Sequence, residues 1–143
     1  MSDTKEIYAR FVREVINDGD ADALDRFMVE DVIDSGHAGF GSGRDAMKAF
    51  VRALHSGFSD ITIDVRWSVA DGDRLGVWAP MTGTHDGEFF GVAATGARIA
   101  FNTCGFFRFE GEMIAEHQGF IDVMAIAQAV GVIGPPPWTP TAD

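Results

Sequence analysis

Apolar positions along this chain recur first with the period of a helix and later with the period of a strand, and the change falls near Ser59. Tyr8, Phe11, Val12, Val15 and Ile16 share one helical face behind an Asp3 and Glu6 capping pair. That spacing predicts a first helix ending at Asn17-Asp18-Gly19. Asp20 caps a second, short helix with Leu24, Phe27 and Met28 on its apolar side, closed by Glu30-Asp31, and Val32–Asp34 reads as a brief strand. Ser42 with Asp45 opens a third helix, whose face of Met47, Phe50, Val51 and Leu54 runs to Ser56-Gly57. The segment 35–43 between them, SGHAGFGSG, reads as a mobile loop; with no long strand before it and no βαβ unit around it, its glycines do not make a phosphate cradle.

From Ser59 onward the period is two. Ile61, Ile63, Val65 and Trp67 alternate with Thr62, Asp64 and Arg66, a turn follows at 70–73, and a return strand over 74–84 sets Leu75, Val77, Ala79 and Met81 against Trp78. A long hairpin pairs Phe101–Phe109 with Met113–Ile121 across Glu110-Gly111. After Asp122 the helical period returns, with Val123, Ile126, Ala127 and Val130 on one face before Gly131. Helices first and strands afterwards predict an α+β fold, a curved antiparallel or mixed sheet on three N-terminal helices with a short C-terminal helix. Such a sheet leaves a cone-shaped apolar cavity, where a ligand would sit.

Composition narrows the partners. At 143 residues, 46% of them apolar, the chain suits one compact domain over 1–133 with a proline-rich tail over 134–143. A net charge of −11, with lysine only at 5 and 48, argues against nucleic acid and anionic membrane as partners. The N-terminus lacks the pattern of a signal peptide and no apolar run spans a bilayer, so a cytoplasmic protein is expected. Cys104 stands alone, which excludes an internal disulfide or a cysteine cluster, and it reads as a small strand residue.

Polar residues inside the apolar hairpin carry the candidate chemistry, because a half-buried sheet does not hold such groups without partners or a ligand. His117 can act as general base or donate to a carbonyl. Asp122 can orient it or serve as the base, although an aspartate just before a helix is also a natural cap. His85, next to Asp86, could reach the same cavity from across the sheet, and either it or Asn102 could donate to a developing enolate. His37 would contribute from the loop as a lid residue, while the rings of Trp67, Trp78, Phe106 and Phe120 would line the cavity for a flat ligand. No histidine pair has the i,i+4 spacing of a helical metal site, so no metal is expected.

The run 84–132 resembles the C-terminal half of SnoaL-like proteins, small polyketide-cyclase relatives within the nuclear-transport-factor-2-like superfamily. The likeness rests on Thr84-His85-x-Gly87, Gly91, Ala94-Thr95-Gly96, Phe107-Arg108-Phe109, Gly111, Ile114, Glu116-His117 and Val130-Gly131-Val132. The resemblance implies a cone-like α+β barrel, commonly dimeric, without metal or organic cofactor, and a pocket for a polycyclic or otherwise apolar substrate. In the cyclases an aspartate two residues after that histidine is the acid/base group for an intramolecular aldol closure. Here the position is Gly119, and Gln118 replaces the usual aromatic. Two functions follow as expectations: a cofactor-independent cyclase or isomerase on an apolar, carbonyl-containing, polyketide-like substrate, or a non-catalytic binding protein for a small apolar ligand. A water-adding enzyme of the same fold would need aspartate partners for Arg98 or Arg108.

Overall fold

The structure, a computed structural model, describes residues 3–35, 39–135, 137, 138 and 140. Its helical layer begins with α1 (Thr4–Phe11), where the Asp3 carboxylate accepts from the Lys5 N–H at 3.0 Å. The chain then widens into a π-helical stretch, Val12–Asn17. Asn17 ends it by clamping Ile63: its Oδ1 accepts from Ile63 N at 2.8 Å and its Nδ2 donates to Ile63 O at 3.4 Å. Asp20 accepts from Ala23 N at 3.2 Å and starts the short helix α2 (Leu24–Phe27). Strand β1 (Met28–Asp34) takes Met28 and the Glu30-Asp31 pair that the periodicity gives to the helix. Helix α3 (Arg44–Gly57) has no side-chain cap from Ser42; Gly43 holds that place at φ 95°, and its N–H is met at 3.0 Å by Asp34 Oδ2.

The strands are β2 (Thr62–Ile63), β3 (Trp67–Asp71), β4 (Arg74–Trp78), β5 (Met81–Thr84), β6 (Arg98–Phe101), β7 (Thr103–Glu110) and β8 (Met113–Ile121), followed by α4 (Val123–Ala129). They form two sheets, ordered β1-β8-β7-β4-β3 and β2-β5-β6, in which β1 and β8 run parallel and the other pairs antiparallel. The chain crosses between the sheets over 64–66, at Ala79-Pro80 and again at Asn102. Pro80 has no N–H to give a ladder, and the joint is stitched by Ala79 N donating to Thr103 O at 2.9 Å and Thr103 Oγ1 donating to Ala79 O at 2.6 Å. The α+β class and the cone shape are as expected, but the two sheets do not close into a barrel. The crossing over 64–66 splits the strand read from 61 to 67: Ile61 and Ile63 are buried, whereas Trp67, beyond the bend, is 57% exposed.

Side chains on the inner sheet face meet the helices. Phe107 packs on Tyr8 with ring centroids 4.9 Å apart, and Phe11 meets Phe27 edge-on at 6.1 Å. Val15, Leu24, Val51, Leu75, Phe109 and Ile114 complete the same core. Register fixes the opposite face: Trp67, Trp78, Cys104 and Phe120 stand in one cross-strand row over β3, β4, β7 and β8. Phe106 and Val69 extend that exposed apolar surface. No helix among the described residues is long and apolar enough to cross a membrane.

Candidate active site

Between the helices and the inner sheet face lie two adjoining chambers. The inner one, about 80 Å³, is lined by Tyr8, Met47, Phe107, His117 and Gly119 among others. The outer one, about 450 Å³, opens between α3, β8 and α4, and the two share Phe50, Gly119, Phe120 and Ile121. Its lip carries Phe90, the one non-glycine with positive φ among the described residues (49°), whose ring rests on Phe89 and Phe40 at 4.3 and 6.0 Å. The helix face foreseen in α4 builds one wall, through Val123, Ile126, Ala127 and Val130.

His117 is the expected polar residue that reaches the inner chamber. Strand alternation points it inward with Gly119, it is 7% exposed, and its imidazole stacks on its cross-strand partner Phe107 at 4.8 Å and 17°. Tyr8, the chain's single tyrosine, stands on the other wall, and burial pushes its phenol well above the ordinary range, so it remains a proton donor. Helical spacing marks Tyr8 as core and hides this; the signal was a hydroxyl on an otherwise apolar stripe.

The predicted convergence of His85 and Asp122 with His117 does not occur. His85 is fully buried but lines neither chamber; its ring lies 5.4 Å from Phe58, and its Nδ1 accepts from Thr95 N at 3.3 Å with Thr95 Oγ1 2.9 Å away. Its Nε2 has no hydrogen-bond partner among the described residues. The neighbours of His85 clamp the end of α3: Asp86 N and Gly87 N donate to Gly57 O at 3.2 and 3.1 Å. Hydrogen bonds from the Ser59 hydroxyl and N–H hold the Asp86 carboxyl below its ordinary value. Asp122 is an exposed N-cap accepting from Ala125 N at 3.0 Å.

The rings divide by strand parity. Trp67, Trp78 and Phe106 belong to the outer face, and Asn102, also outside, accepts from Trp78 Nε1 at 2.8 Å. Phe120 stays more than half exposed yet borders both chambers. His37 lies outside the described residues. Arg98 pairs with Asp60 at 2.8 Å, and Arg108 with Glu116 and Glu110 at 3.1 and 3.0 Å, all away from the chambers. Among the described residues no three His, Cys, Asp or Glu side chains gather as a metal site would require.

This geometry agrees with a family assignment made independently from sequence. The profile of the SnoaL-like polyketide cyclases matches residues 6–130. The chain belongs to the SnoaL-like polyketide cyclase family. A SnoaL-like cyclase structure from Jannaschia sp. CCS1 superposes with a TM-score of 0.78 at 26% identity, covering 93% of each chain. A protein assigned as a polyketide cyclase from Acidithiobacillus ferrooxidans gives 0.80 at 25% identity over 93% of this chain and 97% of its own. AclR from Streptomyces galilaeus, assigned as a hydroxylase, gives 0.83 at 22% identity over 94% and 85%, a likeness of fold alone. No curated protein sequence matches the chain.

Within the SnoaL-like family the position of interest is Gly119, where the resemblance places the acid/base aspartate. A Cβ there would stand 2.9 Å from His117 Nε2 and 3.1 Å from Cε1. The imidazole therefore occupies the volume that a side chain at 119 would need. Across the ladder Gly119 pairs with Gly105, where a Cβ would meet Phe107 Cε2 at 2.8 Å. Two facing glycines thus accommodate two stacked rings.

Proposed function

We propose that this SnoaL-like protein is a cofactor-independent acid/base enzyme of the cyclase or isomerase type, acting next to a carbonyl group. The observation that carries the reading is that His117 and Tyr8, a base and a proton donor, line the same small chamber at the end of an apolar one. His117 removes a proton from the carbon beside the carbonyl, and the electron pair moves onto the carbonyl oxygen, which accepts a hydrogen bond from the Tyr8 phenol. In isomerisation the imidazolium returns the proton to another carbon. In cyclisation the enolate carbon attacks a second carbonyl of the same molecule, and the alkoxide takes the proton. Tyr8 fills the donor role expected of Asn102 or His85.

His117→Ala and Tyr8→Phe should each lower kcat on an identified ketone substrate by about 100-fold while the fold is retained. Unchanged kcat in both variants would remove these roles, whereas a small apolar ligand bound without turnover would favour the alternative, a binding protein that keeps the chamber and lacks the family aspartate.

The exposed row of Trp67, Trp78, Cys104 and Phe120 favours a homodimer formed through the outer sheet face. Trp67→Asp with Phe106→Asp should halve the sedimenting mass. The same mass in the wild type and the double variant would rule this interface out.

A further inference from the structure

The outer chamber is more uniformly apolar than the reaction type requires. Its walls are built from Phe, Leu, Ile, Val and Ala side chains together with Gly119, and none of them carries a hydrogen-bonding group. The backbone adds few groups: α4 keeps most of its own within the helix and β7 takes up one edge of β8, leaving the second edge of β8 without a partner strand beyond His117, at Gly119 and Ile121. Polar side chains occur instead in the adjoining small chamber, with Tyr8 and His117.

We infer that the ligand of this site is a hydrocarbon-bodied ketone: an aromatic or aliphatic skeleton bare of oxygen where it rests in the outer chamber, with one small carbonyl end in the inner one. This rests on the acid/base reading only for the identity of the polar end. A hydroxyl or ketone carried into the outer chamber would leave water and find no side-chain partner, and each group left unsatisfied costs about 1–3 kcal/mol. Apolar surface entering the same space gains about 25 cal/mol per Å². Size points the same way, because about 80 Å³ admits an acetyl-sized group and not a ring system, whereas about 450 Å³ suits a fused pair or triplet of rings or a branched chain. Oxygens spread around a polycyclic skeleton, as in an extensively hydroxylated polyketide, are selected against by these walls.

The test is calorimetric titration of the full-length protein with three matched ligands: 2-acetylnaphthalene, its 6-hydroxy derivative and its 6-methyl derivative. The inference expects the hydroxyl to weaken binding about tenfold relative to the parent, and the methyl to leave it equal or tighter. Equal or tighter binding of the hydroxy compound, or no measurable binding of the parent, would overturn it. Repeating the series with His117→Ala separates the two readings, since discrimination on the distal ring should persist whatever happens to turnover. Should the wild type bind the parent but show no discrimination, the inference fails while the acid/base role of His117 still stands.

Discussion

Two segments of this chain share the pattern His-x-Gly, Thr84-His85-Asp86-Gly87 and Glu116-His117-Gln118-Gly119, and the fold uses them in opposite ways. In the first, the glycine lets the backbone approach the end of α3, and the histidine is buried against Phe58 and held by Thr95. In the second, the glycine leaves room for the ring of its own histidine, which faces a chamber. The difference lies in what the absent Cβ would have touched: backbone at Gly87, the end of a side chain at Gly119. A family motif that is fixed by packing looks, on paper, the same as one that is fixed by chemistry.

The largest effect should come from breaking the first segment. A Cβ on residue 87 would stand 1.9 Å from the Ser56 carbonyl oxygen, so the backbone itself must move. Gly87→Ala is expected to destabilise by about 3 kcal/mol, read as a fall in Tm of about 10 °C; an unchanged Tm would remove the clamp role. In the second segment Gly119→Ala meets only the movable edge of the imidazole, so a stability change of about 1 kcal/mol is expected. The sharper readout is kinetic: displacing the His117 ring should reduce kcat about tenfold and shift the pH-rate profile. A variant that matched wild type in both would show that the ring's pose is immaterial.

The smallest effect concerns Asp86. Its carboxyl titrates below its ordinary value of 3.8 because Ser59 donates to its ionised form. A depressed folded-state value means that the stabilisation is fully present above the unfolded value and is lost as pH falls through the folded one. Asp86→Asn should therefore lower Tm by a few degrees at pH 7, and the two proteins should converge towards pH 2. A gap that stayed constant over that range would mean that the carboxylate charge is not what holds the loop.

Much of the fold was legible because local chemistry and tertiary packing agree. Asp3, Asp20 and Asp122 cap where their positions predict, and the hairpin turns at Gly111 with φ 60°. Periodicity failed where the chain changes sheets. Ile63 and Trp67 keep the same parity but fall on opposite sides of the bend, so one is core and the other surface. Ser42 does not cap α3 because Gly43, at positive φ, takes the cap position, and Asp34, nine residues away, fixes that residue by accepting from its N–H. The site was legible only in part. Burial of His117 could be foreseen from its apolar neighbours, whereas His85, between Thr84 and Asp86, gives no such sign, and which of the two meets a cavity depends on how α1 and α3 sit on the sheet. Tyr8 was hidden for the converse reason, a polar tip on a side chain whose body packs like any core ring.

Gly105 and Gly119, side by side on neighbouring strands, give Phe107 and His117 room to lie back against the sheet. A single methyl added on either strand would tip one of those rings toward the hollow without redrawing the fold's outline, so the shape offered to a guest is set from behind, by atoms the guest never touches.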